Sequence, residues 1–412
     1  MKERIITAID LGTTKFFGLV GLVKEENIEI IGRDIIKPES EWIKEGKIGD
    51  IDGVVEGLLL LIDSLRRQSG EKIEWVNLGV GGAHIVGRIY SQKMEIQPKG
   101  RAINENDIQF LEKEIATLIL SENENIRETL CIIPQEYIID DTISLDKKPI
   151  GMHGNTLEVR AHILTGKINP IKDIYECAKR CGIKIENLFP YAWAVAESVL
   201  NEQEKKLGCV VIDIGKSTTD IVFFYDGKII LTESLKVGSY HIDYDLSLKY
   251  HISLDFAEEL KRTYAWSDYR LITGKKEGLE MIELKNPSGR IVGKATVEEI
   301  SKIVHIRVKE IFEDLIIKER LLKTGLFPLK TSEVILTGGG AKLRGIIKLA
   351  ENIFRLPARI GIPQKLFNLD KNYQKPEFSA GVGLLLLASK KDKIKSETFM
   401  DRVKNWFKRW FY

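Results

Sequence analysis

Neither sign of charge is in excess in this chain of 412 residues. Lysine and arginine total 62 and aspartate and glutamate total 60, so the net charge at pH 7 is only +2. A general basic field for nucleic acid is therefore absent, and we expect no nucleic-acid partner. The length is sufficient for two lobes or several subdomains, each with its own core.

Cysteine and long apolar runs are also scarce. The four cysteines predict small buried hydrophobic residues in a reducing compartment, not a metal site. The apolar run at residues 382–388 is far too short to span a bilayer, and the N-terminus carries no signal-peptide pattern. We therefore expect the protein to be made, and to remain, in the cytoplasm.

A strand–turn–strand pattern occurs twice in the sequence. Residues 5–9 and 17–23 indicate a buried strand and its hairpin partner, and the same pattern returns at residues 210–212 and 221–224. Between the two, residues 84–162 combine strand-like pieces with one helix, which predicts a small α+β insertion.

The turn inside each repeat carries residues that suit a phosphate chain. An aspartate ends the strand, a glycine follows, and hydroxyl residues come next. Backbone N–H groups of a tight glycine turn point inward, hydroxyls add donors, and a lysine adds a point charge. The first turn offers Asp10, Gly12, Thr13, Thr14 and Lys15, and the second offers Asp213, Gly215, Lys216, Ser217 and Thr218.

A third stretch completes a predicted nucleotide site. The strand at 334–337 ends in three glycines, whose bare backbone can approach a flat base or an α-phosphate closely. These are Gly338, Gly339 and Gly340. Each segment alone would be an ordinary turn, but the three in this order predict nucleotide binding. The carboxylates of Asp10 and Asp213 cannot bind phosphate directly, and we expect them to orient a hydrated Mg²⁺ through its waters.

These segments resemble phosphate 1, phosphate 2 and the adenosine motif of the superfamily of actin, sugar kinases and heat-shock chaperones. Residues 190–198 (PYAWAVAES) and 378–384 (FSAGVGL) resemble its two connecting helices. The resemblance implies an α/β, two-lobed actin-like (ribonuclease H-like) fold that binds ATP and Mg²⁺. Residues 257–261 (AEELK) resemble the stretch that reaches the nucleotide sugar in bacterial actins, which implies such contacts for Glu258 and Lys261.

Within that superfamily the chain resembles the FtsA family of bacterial cell division proteins. The likeness lies in residues 46–50 (GKIGD), and in residues 130–140 and 149–159, which resemble the inserted α+β subdomain 1C of FtsA. The implied boundaries are subdomain 1A at 1–83 and 163–207, 1C at 84–162, 2A at 208–242 and 325–364, 2B at 243–324, a return helix at 365–388, a linker at 389–398 and a terminal helix at 399–412.

Some positions depart from the family pattern. FtsA proteins usually carry Gly-Gly-Gly-Thr in phosphate 2, where this chain has Lys216 and Ser217. Lys216 could contact a phosphate or cap the turn in solvent, and the sequence leaves both open. Phe189 stands where the related filament protein MreB has a glutamate suited to orienting water. We interpret Glu197, farther along that helix, as a solvated residue, nominate no general base, and expect at most a weak ATPase.

The end of the chain combines a continuous apolar stripe with basic flanks. Aromatic rings at headgroup level and cations facing anionic lipid are typical of an interfacial helix, so we expect a membrane anchor. A helix that docks in a partner's groove is the alternative. The apolar residues are Phe399, Val403, Trp406, Phe407, Trp410 and Phe411, and the cations are Arg402, Lys404, Lys408 and Arg409.

The family resemblance implies a scaffold at the division site, peripheral on the cytoplasmic face of the membrane. Such a protein would polymerise, bind the C-terminal tail of the tubulin-like FtsZ through subdomain 2B, and recruit other divisome proteins. Arg290 and Arg307 lie in stretches similar to the tail-binding region, although arginine is also common on surfaces.

Two alternatives stay open. A pilus-assembly protein of the PilM type shares 1C but lacks the terminal amphipathic helix. A small-molecule kinase of the same superfamily would need a substrate-binding aspartate and a large domain in place of 1C, and the sequence indicates neither.

Overall fold

The computed structural model describes residues 3–390 apart from residues 26, 123–125, 314–316, 364–365 and 367–368. The predicted terminal helix at 399–412, with all of its proposed membrane residues, lies outside the described residues.

The first half of the chain alternates strands and helices. In order they are β1 (Arg4–Leu11), β2 (Phe16–Lys24), β3 (Asn27–Ile36), β4 (Ile43–Lys44), β5 (Lys47–Ile48), α1 (Ile51–Ser69), β6 (Trp75–Val80), β7 (Val86–Glu95), α2 (Glu105–Glu122), β8 (Arg127–Ile139), β9 (Ile143–Leu145), β10 (Thr156–Lys167), α3 (Ile168–Arg180), β11 (Lys184–Pro190), α4 (Tyr191–Val199) and α5 (Glu202–Leu207).

The second half repeats the opening pattern and adds a largely helical portion. Its elements are β12 (Cys209–Ile214), β13 (Thr219–Tyr225), β14 (Lys228–Leu235), α6 (Ser239–Tyr250), α7 (Leu254–Thr263), α8 (Lys276–Leu279), β15 (Met281–Lys285), β16 (Ile291–Thr296), α9 (Val297–Phe312), α10 (Ile317–Lys323), β17 (Glu333–Thr337), α11 (Ile346–Phe354), β18 (Ala358–Ile360) and α12 (Ser379–Ser389).

Two open sheets of mixed direction organise the molecule. The first has the strand order β11-β6-β1-β2-β3, and the second begins β18-β17-β12-β13-β14. Each contains an antiparallel hairpin, β1–β2 or β12–β13, beside a parallel strand, β6 or β17. The predicted α/β fold and the predicted repeat of its hairpins are confirmed. In each sheet, parallel pairing brings the carboxyl ends of neighbouring strands to the same edge, and the glycine turn of that sheet lies there.

The insertion joins the second sheet. Its strands β7, β10, β8 and β9 continue the order after β14, and the junction is a single antiparallel pair, Val86 with Glu233. Its own core includes Ile96, Ile108 and Val159. The sequence predicted the insertion but not this junction, because one backbone pair leaves no periodic signal.

The two connecting helices cross very closely. A Cβ atom at Gly383 of α12 would lie 1.7 Å from the carbonyl oxygen of Ala194 in α4, so only glycine fits there. Both helices contribute to the first-lobe core, in which Val382, Leu385 and Ala194 are buried. Since α12 also packs on β1, the crossing places the start of α4 near the end of that strand.

Several helix ends and turns have local sequence causes. Thr296 and Glu299 form a capping box at the start of α9. Gly182 after α3 and the turn residues Asp226 and Gly227 have positive φ angles of 69°, 52° and 74°. Cys131, Cys177, Cys181 and Cys209 are buried and free, as expected of small hydrophobic residues.

Candidate nucleotide site

The two glycine turns have the same geometry and meet. Gly12 N–H donates to the carbonyl of Lys15 at 3.0 Å, and Gly215 N–H donates to that of Thr218 at 2.9 Å. The hydroxyl of Ser217 donates to the hydroxyl of Thr13 across the gap between the turns, at 3.2 Å. The structure therefore brings together two segments that are about two hundred residues apart.

Three carboxylates lie behind these turns. Asp10 and Asp220 are buried, and Asp213 is enclosed by protein although part of its surface is open. The pKa of Asp213 is raised to about 8, mainly by burial and also by the charges of Asp220 and Asp10. Burial also raises the pKa of Asp220 to about 6, and that of Asp10 above its ordinary value. Such a cluster needs a compensating cation.

Lys15 is the first cation near the cluster. Its charge lowers the pKa of both Asp10 and Asp213, against the larger effect of burial. Its ammonium group lies 5.3 Å from the centre of the Phe378 ring, just before α12. When all three carboxylates are ionised, one lysine leaves a net negative charge, which a divalent ion would compensate.

The donor set fits magnesium rather than a softer metal. All three groups are carboxylates, the oxygen ligands that Mg²⁺ prefers. Over the described ranges, no three His, Cys, Asp or Glu side chains are arranged to coordinate a metal directly. A hydrated Mg²⁺ is compatible with this, because it keeps several waters and takes further oxygens from phosphate.

The triple glycine closes the site from the second lobe. Gly338 has a φ of +79°, and a Cβ atom there would lie 2.1 Å from Oδ1 of Asp213. A Cβ atom at Gly340 would lie 2.3 Å from Cγ2 of Ile214, whereas one at Gly339 would meet nothing within 4 Å. Gly338 and Gly340 are thus required by close packing, and Gly339 presents open backbone. Beside them lies an open cavity of about 580 Å³ whose lining includes Ala341, Leu343, Ile346 and Pro376 but no residue of the two phosphate turns.

Lys216 forms a contact that the sequence did not predict. Its ammonium group pairs with Oε2 of Glu258 on α7 at 3.0 Å, and both side chains are about one-third exposed. The pair links the second turn to the helix expected to reach the sugar. Lys261, one turn farther along α7, is buried and pairs with Asp243 at 2.7 Å.

Glu197 corrects one interpretation. We expected a solvated residue, but its side chain is buried and pairs with Lys205 at 3.1 Å and with Lys390. Both lysines lie outside α4, so the helical pattern of that segment could not reveal them.

Tyr191 is the site residue that the sequence did not single out. It is the first residue of α4, and its hydroxyl accepts a hydrogen bond from Leu11 N–H at 2.9 Å. The only available signal was the spacing of Gly79 and Gly81, whose missing side chains make room for its ring.

The two arginines proposed for partner binding differ. Arg290 is exposed in the turn between β15 and β16. Arg307 on α9 forms a bidentate pair with Asp245, at 2.7 and 2.9 Å, and a further pair with Glu310 at 2.7 Å. Its charge is therefore already balanced within the protein.

Across the described part of the chain, no helix is long and apolar enough to cross a membrane.

Comparisons with known proteins agree on one family. A family model described as cell division protein FtsA matches residues 210–383, and one described as the SHS2 domain inserted in FtsA matches residues 82–165. The cell division protein FtsA of Neisseria meningitidis serogroup B is 32% identical over 94% of this chain and 91% of its own length. That of Borreliella burgdorferi is 28% identical over the full length of both chains.

Solved structures show the same fold. The PilM–PilN type IV pilus biogenesis complex aligns over 93% of this chain and 98% of that one, with a TM-score of 0.65 and 14% identity. MreB5 of Spiroplasma citri bound to ADP aligns over 95% and 97%, with a TM-score of 0.53 and 17% identity. At these identities the likeness concerns the actin-like fold alone.

Proposed function

Since the chain belongs to the FtsA family of cell division proteins, we propose that it is an ATP-binding scaffold that tethers FtsZ filaments to the inner face of the cytoplasmic membrane. The observation that carries the nucleotide part is the meeting of the two glycine turns, with Ser217 and Thr13 in contact at 3.2 Å beside the buried Asp10 and the partly exposed Asp213. Turn amides, hydroxyls and Lys15 would bind the phosphates, and the glycines at 338–340 would lie against the nucleoside.

A hydrated Mg²⁺ would be oriented by Asp10 and Asp213, and its chemical contribution is to neutralise charge on the phosphate oxygens. The structural relative MreB5 was solved with ADP, which supports a nucleotide in this fold. Glu258 would meet the sugar only after exchanging its contact with Lys216. We assign no general base, and the proposed role is binding and assembly, with turnover at most slow.

Membrane attachment is proposed for the terminal segment 399–412. The last described residues support a defined exit for it, because Arg4 donates to the carbonyl oxygens of Ala388 and Ser389 at 2.9 and 3.0 Å. Lys390 pairs with the buried Glu197. The linker would therefore leave from a fixed point on the first lobe, and the aromatic residues beyond it would lie in the lipid interface.

Binding of the FtsZ tail is proposed for the β15–β16 hairpin. Arg290 is exposed there next to Ile291 and Val292, which are apolar and about half exposed, and Met281 at the other end of the hairpin is exposed to a similar extent. A peptide that carries carboxylates and apolar side chains would match this surface. Self-association into filaments is proposed for the inserted subdomain.

Calorimetry of the full chain with ATP and Mg²⁺ tests the proposal. Asp213→Asn removes one carboxylate without changing size, and we expect it to weaken binding of magnesium ATP at least about tenfold. Asp226→Asn, in the exposed turn after β13, is the matched control and should bind as the unmodified protein does. Absence of binding by the unmodified protein at millimolar ATP would overturn the proposal, as would equal binding by Asp213→Asn.

A further inference from the structure

The first sheet opens at the nucleotide edge. Strands β1 and β6 run parallel in register through Ala8 with Asn77 and Ile9 with Leu78. Beyond that point β6 continues alongside β11, with Gly79 opposite Phe189. The last residues of β1 meet the start of α4 instead of β6.

The ring of Tyr191 fills this opening. A Cβ atom at Gly79 would lie 2.0 Å from Cε1 of the ring, and one at Gly81 would lie 2.6 Å from Cδ2. Any side chain at either position would displace the ring. Two glycines spaced by one residue on β6 and the loop after it therefore form a seat for this tyrosine.

The hydroxyl of Tyr191 joins two groups of the first turn. It accepts the hydrogen bond from Leu11 N–H at 2.9 Å, which leaves its own hydrogen available to an acceptor. The carboxylate of Asp10, the residue before Leu11, lies close enough to interact with the hydroxyl. The hydroxyl thus lies against both the carboxylate and the backbone that leads into the phosphate turn.

We propose that Tyr191 is a positioning residue of the metal–nucleotide site, whose hydroxyl holds the Asp10 carboxylate in the orientation that receives hydrated Mg²⁺. This inference rests on the proposed nucleotide function. Groups that hydrogen-bond a metal-orienting carboxylate from behind set its direction, and removing them typically costs about 10–100-fold in metal affinity. Tyr191 would then act on the metal through Asp10 without touching the nucleotide.

The test separates metal affinity from nucleotide affinity. In the full-length protein, binding of a fluorescent ATP analogue is measured while Mg²⁺ is titrated, and again in EDTA. Tyr191→Phe keeps the ring in its seat and removes only the hydroxyl. We expect the Mg²⁺ midpoint to rise by about 10–100-fold, with affinity in EDTA unchanged. Tyr373→Phe is the matched control, because Tyr373 packs through its ring, stacked on Phe17 at 5.4 Å.

Other outcomes would overturn the inference. A Tyr191→Phe protein that melts at a lower temperature but keeps the Mg²⁺ midpoint would show a purely structural hydroxyl. An equal loss with and without Mg²⁺ would show a general defect. If Tyr191→Phe does not fold, Gly81→Ala displaces the ring and keeps the hydroxyl, and an unchanged midpoint there would also contradict the inference. Failure of the unmodified protein to bind the analogue with Mg²⁺ would instead refute the nucleotide function itself.

Discussion

Among single residues, Asp213 is the carboxylate of the candidate nucleotide site whose charged form is most disfavoured in the folded protein. A carboxylate with a folded-state pKa of about 8, against 3.8 in the unfolded chain, holds its proton more tightly when folded. Below about pH 4 the side chain is protonated in both states and carries no cost of burying a charge. As the pH rises from there through about 8, the folded state loses stability relative to the unfolded chain. The metal-free protein should therefore be destabilised by a residue that the proposed Mg²⁺ site requires.

Asp213→Asn should reduce this pH dependence. In EDTA, we expect the melting temperature of the unmodified protein to fall between about pH 6 and about pH 8.5, and that of Asp213→Asn to fall by several degrees less. Differential scanning fluorimetry measures both, with Asp226→Asn as the control. Identical pH dependence in all three proteins would contradict the burial cost assigned to Asp213.

Glu197 offers a second residue-scale prediction. Its partner Lys205 is itself only 8% exposed, so removing the negative charge leaves a buried ammonium poorly compensated. Glu197→Gln should cost about 3 kcal/mol or more in the free energy of unfolding, measured by denaturant titration. Glu202 also pairs with Lys205 but is 74% exposed, and Glu202→Gln should cost less than about 1 kcal/mol. Equal costs would refute the distinction.

Residues within one turn could be predicted from the sequence, whereas partners from distant elements could not. Asp10 and Asp213 follow their strands at a fixed spacing that the local pattern reveals. The contact of Lys216 with Glu258 and that of Tyr191 with Asp10 depend on how separate elements pack. No periodicity encodes such pairs.

At the scale of elements, the two arginines proposed for FtsZ binding lie on different elements, Arg290 in the β15–β16 hairpin and Arg307 on α9. Arg290→Glu should weaken binding of the FtsZ tail peptide roughly tenfold by fluorescence anisotropy, because it reverses an exposed charge. Arg307→Ala should instead lower the stability, since Asp245 loses its bidentate partner. Unchanged affinity after Arg290→Glu would place the tail elsewhere.

The sequence predicted the elements of the inserted subdomain but not how they pack on the rest of the protein. Its helix and strands were predicted, but Leu130 and Cys131 of β8 belong to the first-lobe core. The hydroxyl of Thr232 on β14 also lies 3.0 Å from His162 of β10. Excising residues 84–162 would therefore damage both lobes, and a surface change is the cleaner test of its role.

Phe110 on α2 provides such a change, because its ring is half exposed. Phe110→Asp should raise the protein concentration needed for assembly about tenfold, measured by sedimentation with ATP. Leu207→Asp, at an exposed apolar position outside the insertion, is the control and should assemble normally. Assembly unaffected by Phe110→Asp would argue against contacts through this face.

Across the whole molecule, α4 connects the candidate nucleotide site to Lys390, the last described residue. Tyr191 at its start contacts the first turn, and Glu197 near its end pairs with Lys390. The actin-like architecture was predicted from the resemblance of the two hairpin turns, the glycine strand end and the connecting helices to that superfamily. The route from site to exit was not predictable, because it depends on the crossing of α4 and α12.

The most direct test of the scaffold is co-sedimentation of FtsZ with anionic liposomes in the presence of ATP and this protein. We expect FtsZ to pellet only when the protein is present. The double variant Trp406→Glu with Trp410→Glu should leave FtsZ in the supernatant while ATP binding is retained. The reason is that burying a large aromatic side chain in the lipid interface contributes roughly 25 cal/mol of binding free energy per Å². Each cation near anionic lipid adds only about 1 kcal/mol. FtsZ that pellets equally with the double variant, or equally without the protein, would contradict the account.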